Sequence, residues 1–140
     1  MTDDDGSGDG SSGEERDVVT KTSPRSVADT ASRLTDLVVG KGMKVFAVID
    51  QAAEARAVGL ELRDTTLVTF GSPVAGTPVM VAVPLAALDL PLRVLVWADG
   101  DRTKVSYVAP AALATRHGLP ADLAKNLAGI DGLTDALISP

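Results

Sequence analysis

Residues 92 to 108 read LRVLVWADGDRTKVSYV, two strand-like runs joined through the turn residues DGDR. Leu92 to Ala98 is the most apolar run in the chain, and Lys104 to Val108 follows it closely enough for the two to pair as a β-hairpin. That pairing decides the fold class. Upstream, short strand-like and longer helix-like segments alternate, which alone would suit a doubly wound parallel sheet; a terminal hairpin turns the reading to α+β. The expectation is a mixed β-sheet of about five strands with helices packed on it, in the order β-α-β-α-β-α-β-β-α-α.

Working outward, VVTKT ends at Ser23-Pro24, read as a helix cap followed by a first-turn proline. Val27, Ala31, Leu34, Leu37 and Val38 then recur at the spacing of one helical face, and Gly40 and Gly42 stop the helix. Lys44 to Asp50, KVFAVID, is apolar on both faces and reads as a central strand covered on each side or buried at a subunit contact. Asp50 stands where the cap of the next helix belongs, and Gly59 suits its left-handed stop. Thr66 to Phe70 forms a third strand. Beyond the hairpin, Pro110 opens a short helix closed by Gly118, and Pro120 opens a last helix with Leu123, Leu127 and Ile130 on one face.

With 140 residues the chain has room for one core, assigned to residues 18–140. Residues 1–17 hold seven acids and one base, which accounts for the whole formal charge of -6; the remaining residues balance 12 acids against 12 bases. The first 17 residues therefore read as a disordered acidic Gly/Ser-rich tail. A neutral body without a basic stripe, with 3% aromatic residues, argues against nucleic-acid binding. No cysteine is present, which excludes disulfides, thiolate catalysis and iron–sulfur clusters. The acidic N-terminus is unlike a secretory signal, and no run reaches the ~18 apolar residues of a membrane span. A cytoplasmic protein without membrane contact is expected.

Residues 70 to 78, FGSPVAGTP, place a small-residue corner between a strand and a helix, the general setting of anion sites. The stretch matches neither a phosphate-binding loop nor a nucleophile elbow, and Pro73 and Pro78 each remove an N–H that a cradle would use. Ser72 and Thr77 read as two helix caps, each followed by a proline. His117 is the only histidine, so a multi-histidine metal site within one chain is excluded; it stands beside Gly118 at a helix C-terminus, where a cation is favoured. Tyr107 reads as a half-buried packing residue with its hydroxyl at the rim. Asp64, Asp99 and Asp101 fall in turns, and no nucleophile, base and orienting group stand together.

Three segments, GMKVFAVID (42–50), LVTFGSPVAGTPVM (67–80) and LDLPLRVLVWADGDRTKVSYVAPAALATRHGL (88–119), together resemble the small bacterial proteins known as domain of unknown function 302. The likeness runs from about Val19 to Leu137. It implies a compact α+β domain that commonly forms a homodimer, and it supplies no activity. Many members carry His where this chain has Gln51 and Asn where it has Ser72. An amide at Gln51 can hydrogen-bond but cannot titrate, which weakens any metal, haem or acid-base role there.

The resulting expectation is a non-catalytic dimeric binding or accessory protein, without metal or cofactor, that takes a small apolar ligand. Asp50, Gln51, Gly71, Ser72, Thr77, Tyr107 and His117 are the candidate ligand-binding residues. The alternatives are an enzyme using Asp50 or His117 as a lone acid-base residue on a small organic substrate, and a structural protein-interaction module.

Overall fold

The computed structural model describes residues 17–140; the tail expected over residues 1–17 lies, except for Asp17, outside them. Five strands form one sheet: β1 (Val18–Ser23), β2 (Lys44–Asp50), β3 (Thr65–Gly71), β4 (Leu92–Asp99) and β5 (Arg102–Val108), in the spatial order β1-β5-β4-β3-β2. All four pairings are antiparallel, so within the expected α+β class and element order the sheet contains no parallel pair. The β4–β5 hairpin closes as Asp99↔Arg102, with Gly100 at φ +62° in the tight turn.

Helix α1 (Val27–Gly40) crosses the sheet from β1 to β2 on one face, and α6 (Gly129–Leu137) packs beside it. Between them they bury the β3–β5 side chains that point to that face. Leu34, Val38, Val68, Phe70, Val94, Val96, Val105, Leu133 and Leu137 make this main core, each less than 2% exposed. Fully burying an aliphatic or aromatic side chain of this size is worth about 1.5–3 kcal/mol. The carbonyls at the end of α6 are tied down by arginines from α1 and the turn before it. Arg25 donates to Leu137 O (2.9 Å) and Ser139 O (2.8 Å), and Arg33 donates to Leu137 O (3.2 Å) and Ala136 O (3.1 Å).

A second, smaller core lies at the end of the sheet opposite the hairpin turn. It joins Val79 of α3 (Pro73–Ala82), Ala86 of a 3-10 turn (Pro84–Asp89), Leu113 of α4 (Pro110–His117) and Leu127. Helix α2 (Gln51–Ala57) sits at the hairpin end, after β2.

Several local expectations are corrected. KVFAVID is an edge strand, because β3 pairs with it on one side only; Phe46 and Val48 are 48% and 52% exposed. Ser26, not Ser23, caps α1 by accepting from Asp29 N, while Ser23 is buried and bonded to Thr30 Oγ1 at 2.7 Å. Thr77 caps nothing: the helix starts at Pro73 under Ser72 and continues through Pro78, whose missing N–H removes one internal bond. The last helical stretch is three pieces, α5 (Ala121–Ala124), a 3-10 turn (Lys125–Leu127) and α6. Tyr107 is 3% exposed, more deeply buried than the half-buried packing residue expected, and its hydroxyl reaches the exposed Asp131 at the margin of the core.

Candidate functional site

The end of the sheet opposite the hairpin turn collects most of the polar residues singled out from the sequence, because β3 and β5 both finish there. Two of the hollows at this end are lined by those residues.

The first, about 280 Å³, lies under the corner where β3 passes into α3. Gly71, Ser72, Gly76 and Thr77 line one side, and Phe46, Met80, Pro91 and Leu127 supply apolar walls. Asn126 completes it, with its Nδ2 donating to Ala75 O at 3.0 Å. Ser72 holds the helix start by accepting from Ala75 N at 3.4 Å. No charged side chain lines this hollow.

Its two glycines have no conformational reason to be glycine. Neither has a positive φ, and a Cβ added at Gly71 or Gly76 would meet no heavy atom closer than 3.8 Å or 3.9 Å, ordinary van der Waals contact. A glycine inside a helix loses about 0.5–1 kcal/mol relative to alanine. What each glycine does contribute is volume in the hollow.

The second hollow, about 310 Å³, is bounded by Asp89, Arg93, Leu95, Tyr107, Val108 and Leu113. Asp89 is its electrostatic centre. Its carboxylate lies 2.6 Å from His117 Nε2, accepts from Arg116 Nη1 at 3.1 Å and 3.2 Å, and pairs with Arg93 Nη2 at 3.4 Å. The Asp89 and His117 side chains are only 11% and 9% exposed. Burial alone would push the Asp89 carboxyl up, but hydrogen bonds from His117 and Arg116, with the Arg116 charge, outweigh it and hold the carboxyl below its ordinary value. These contacts tie the 3-10 turn to the C-terminus of α4, beside Gly118 at φ +61°.

The lowered value carries a sign for stability. Asp89 is held charged in the folded chain, so its contribution is fully present above about pH 4, the ordinary carboxylate range, and is lost as pH falls through the folded value. Asp89→Asn is expected to destabilise the chain at neutral pH by about 1–3 kcal/mol, since three donors lose a charged acceptor. In thermal melts the gap between the parent chain and Asp89→Asn should close as pH falls below the ordinary carboxylate range. A gap that stays constant across that range would contradict the assignment.

Tyr107 points to the helical face of the sheet, where its hydroxyl donates to Asp131 Oδ1. Burial first, and then this hydrogen bond, raise its pKa above the ordinary value. Lys21 lies over the ring, 5.3 Å from its centroid, and donates to Thr134 Oγ1 (2.7 Å) and Asp135 Oδ1 (2.8 Å). Burial lowers the Lys21 pKa, while Asp135 and Tyr107 more than compensate, leaving it raised. This network joins β1 and β5 to α6.

The seven candidates therefore separate into groups. Gly71, Ser72 and Thr77 share the first hollow. Tyr107 borders the second, and His117 stands behind Asp89 at its margin. Asp50 and Gln51 are exposed at the hairpin end, a strand's length of roughly 17 Å from Gly71. Asp50 caps α2 by accepting from Ala53 N at 2.9 Å. Asp89, Asn126 and Phe46 were missed from the sequence; the one local signal was Arg93, four residues after Asp89. Among the described residues no cluster of three or more His, Asp or Glu could hold a metal ion, and no helix is long and apolar enough to cross a membrane.

The family described as "Domain of unknown function DUF302" matches residues 19–137. A crystal structure of an uncharacterized conserved DUF302 protein from Bacillus stearothermophilus shares the fold, with a TM-score of 0.74, 18% identity and coverage of 87% of this chain and 95% of that one. Two curated relatives are named "Fluoride-specific ion channel FluC 1". The Brucella suis biovar 1 protein is 41% identical over 110 residues, 76% of this chain and 43% of its own length. The Brucella abortus biovar 1 protein is 41% identical over 110 residues, 76% of this chain and 41% of its own length. This chain thus spans less than half the length of the curated relatives it matches.

Proposed function

The chain belongs to the DUF302 family, and on that premise we propose that it is a non-catalytic, dimeric binding protein whose ligand is a small, uncharged, mainly apolar molecule held in the hollow under the β3–α3 corner. The observation that carries this reading is the pair of glycines, Gly71 and Gly76, neither demanded by backbone conformation nor by crowding. They keep open a space of about 280 Å³, close to the lower limit of ordinary ligand clefts, which run from about 300 to 1,000 Å³. Apolar walls supply affinity, and the Ser72, Thr77 and Asn126 groups give one polar side for orientation. Without a titratable group in the lining there is no acid or base for turnover.

For the FluC relatives, only an accessory role is extended to this chain, because no described helix is long and apolar enough to cross a membrane.

The test uses hexanol and indole as probes of the full chain, by calorimetry and thermal melting. Either probe is expected to bind and to raise the melting temperature, since a ligand at 100 times its Kd stabilises by about 2.7 kcal/mol. Asp50→Asn and His117→Asn should leave probe affinity unchanged. Absence of heat and of any melting shift with both probes would remove the proposal.

A further inference from the structure

The hollow of about 310 Å³ beside Asp89 has no part in the ligand site proposed above. Pleating sends Leu67 of β3, Arg93 and Leu95 of β4 and Val108 of β5 to one side of the sheet, opposite the buried Val68, Val94, Val96 and Tyr107. Leu67, Leu95 and Val108 are half-buried and give the hollow an apolar lining, and Arg93 stands exposed where it meets Asp89. The volume is that of a small ligand cleft.

Of the polar side chains that line it, all but one are occupied within the chain. Ser106 Oγ accepts from Trp97 Nε1 at 2.9 Å and lies 2.9 Å from Thr20 Oγ1. The Tyr107 hydroxyl is turned to the helical face, where it donates to Asp131. Asp89 accepts from Arg116 through both oxygens and lies against His117, which leaves it little capacity for a donor from outside. Arg93 is the exception. Its guanidinium carries five N–H donors, yet the one hydrogen bond it makes among the described residues runs from Nη2 to Asp89 at 3.4 Å. That is long for a charge-assisted pair, which ordinarily closes to about 2.7–2.9 Å. One carboxylate shared with Arg116 also cannot neutralise both guanidiniums, so a positive charge is left over before His117 is counted.

We propose that this hollow is a second binding site, for a small monocarboxylate with an apolar tail, whose carboxylate is taken by Arg93 and whose tail lies on Leu67, Leu95 and Val108. Charge decides the class. An organic cation would meet Arg93 and find Asp89 already occupied, and a neutral ligand would leave the spare Arg93 donors to water. A dianionic phosphate would bring a further negative charge beside Asp89. A single planar carboxylate matches the guanidinium fork and cancels the one charge left over. The apolar lining then selects against a carboxylate that has no tail. This site is separate from the hollow under the β3–α3 corner, which no charged side chain lines.

The test titrates octanoate, acetate and hexanol into the full chain, read by calorimetry and amide-resolved NMR. Octanoate is expected to bind saturably and to shift the amides of Leu67, Arg93, Leu95 and Val108. Acetate, the head without the tail, should bind at least ~10-fold more weakly, and hexanol, a tail without the charge, should leave those amides in place. Arg93→Gln is expected to weaken octanoate binding by at least ~10-fold while keeping a cooperative melt and hexanol binding. Arg93→Lys, which keeps the charge and loses the fork, should fall between the two. Saturating hexanol should not displace octanoate. No octanoate binding, octanoate shifts concentrated at Gly71 and Gly76, or an Arg93→Gln variant that binds octanoate like the parent chain would overturn the proposal. The shifts in the parent chain locate the site even if Arg93→Gln does not fold. Because hexanol and octanoate report on different hollows, failure of this site is distinguishable from failure of the first.

Discussion

Gly76→Leu is expected to weaken hexanol binding by at least ~100-fold, about 2.7 kcal/mol, while leaving the chain folded and no less stable. The helix gains from the change, because glycine is about 0.8–1.0 kcal/mol less favourable than alanine in a helix interior and leucine ranks close to alanine. A Cβ at this position meets the Met80 methyl at 3.9 Å, an ordinary van der Waals contact with the end of a flexible side chain. The remaining atoms of the leucine fill the hollow a ligand would use. Gly76→Ala is the graded control: a melting temperature raised by the equivalent of about 0.5–1 kcal/mol, and a smaller loss of affinity. If Gly76→Leu bound hexanol as tightly as the parent chain, the probe would be binding elsewhere.

Phe70→Ala is expected to be the most damaging single truncation in the main core, at about 3–5 kcal/mol, a large share of the about 5–15 kcal/mol that stabilises an ordinary domain. Phe70 is 1% exposed at the end of β3, between α1 and the two central strands, where collapse around a cavity is limited. In thermal unfolding this corresponds to a drop of roughly 10–25 °C. The other phenylalanine is the comparison. Phe46 is 48% exposed on the β2 edge, so Phe46→Ala should cost about 1 kcal/mol or less, while loosening the wall of the ligand hollow. Equal melting losses for the two variants would contradict the edge placement of β2.

These two phenylalanines also mark how far the sequence could be read. Both stand in apolar runs of similar length, KVFAVID and TLVTF, and nothing local distinguishes a strand flanked on both sides from one flanked on a single side. Strand order is a long-range property, set here when α1 carries the chain across the sheet to its far edge. Features fixed within a few residues were legible: the β4–β5 hairpin, the Asp50 cap, and the Gly59 and Gly118 stops, both at positive φ. The FGSPVAGTP corner was half legible. Ser72 caps as its type and the following proline imply, but Thr77-Pro78 has the same local pattern, and only the register of one continuous helix makes it interior.

The ligand hollow drew three of its residues from the sequence reading, Gly71, Ser72 and Thr77, because they adjoin that corner. Phe46 and Asn126 come to it from β2 and from the turn after α5, with no local mark of their common destination. Asp89 was illegible for a similar reason. An aspartate before a proline-containing turn looks like any turn aspartate, and its meaning depends on His117, 28 residues later.

The claim that matters most is that the hollow beneath the β3–α3 corner, and no other place on the chain, receives a small uncharged ligand. Amide-resolved NMR of the full chain during titration with hexanol tests it directly. The predicted result is a saturable set of shifts concentrated at Gly71, Ser72, Gly76, Thr77 and Asn126. Shifts concentrated instead at Asp50 and Gln51, or around Asp89 and His117, would contradict it, as would a spectrum that does not change at all.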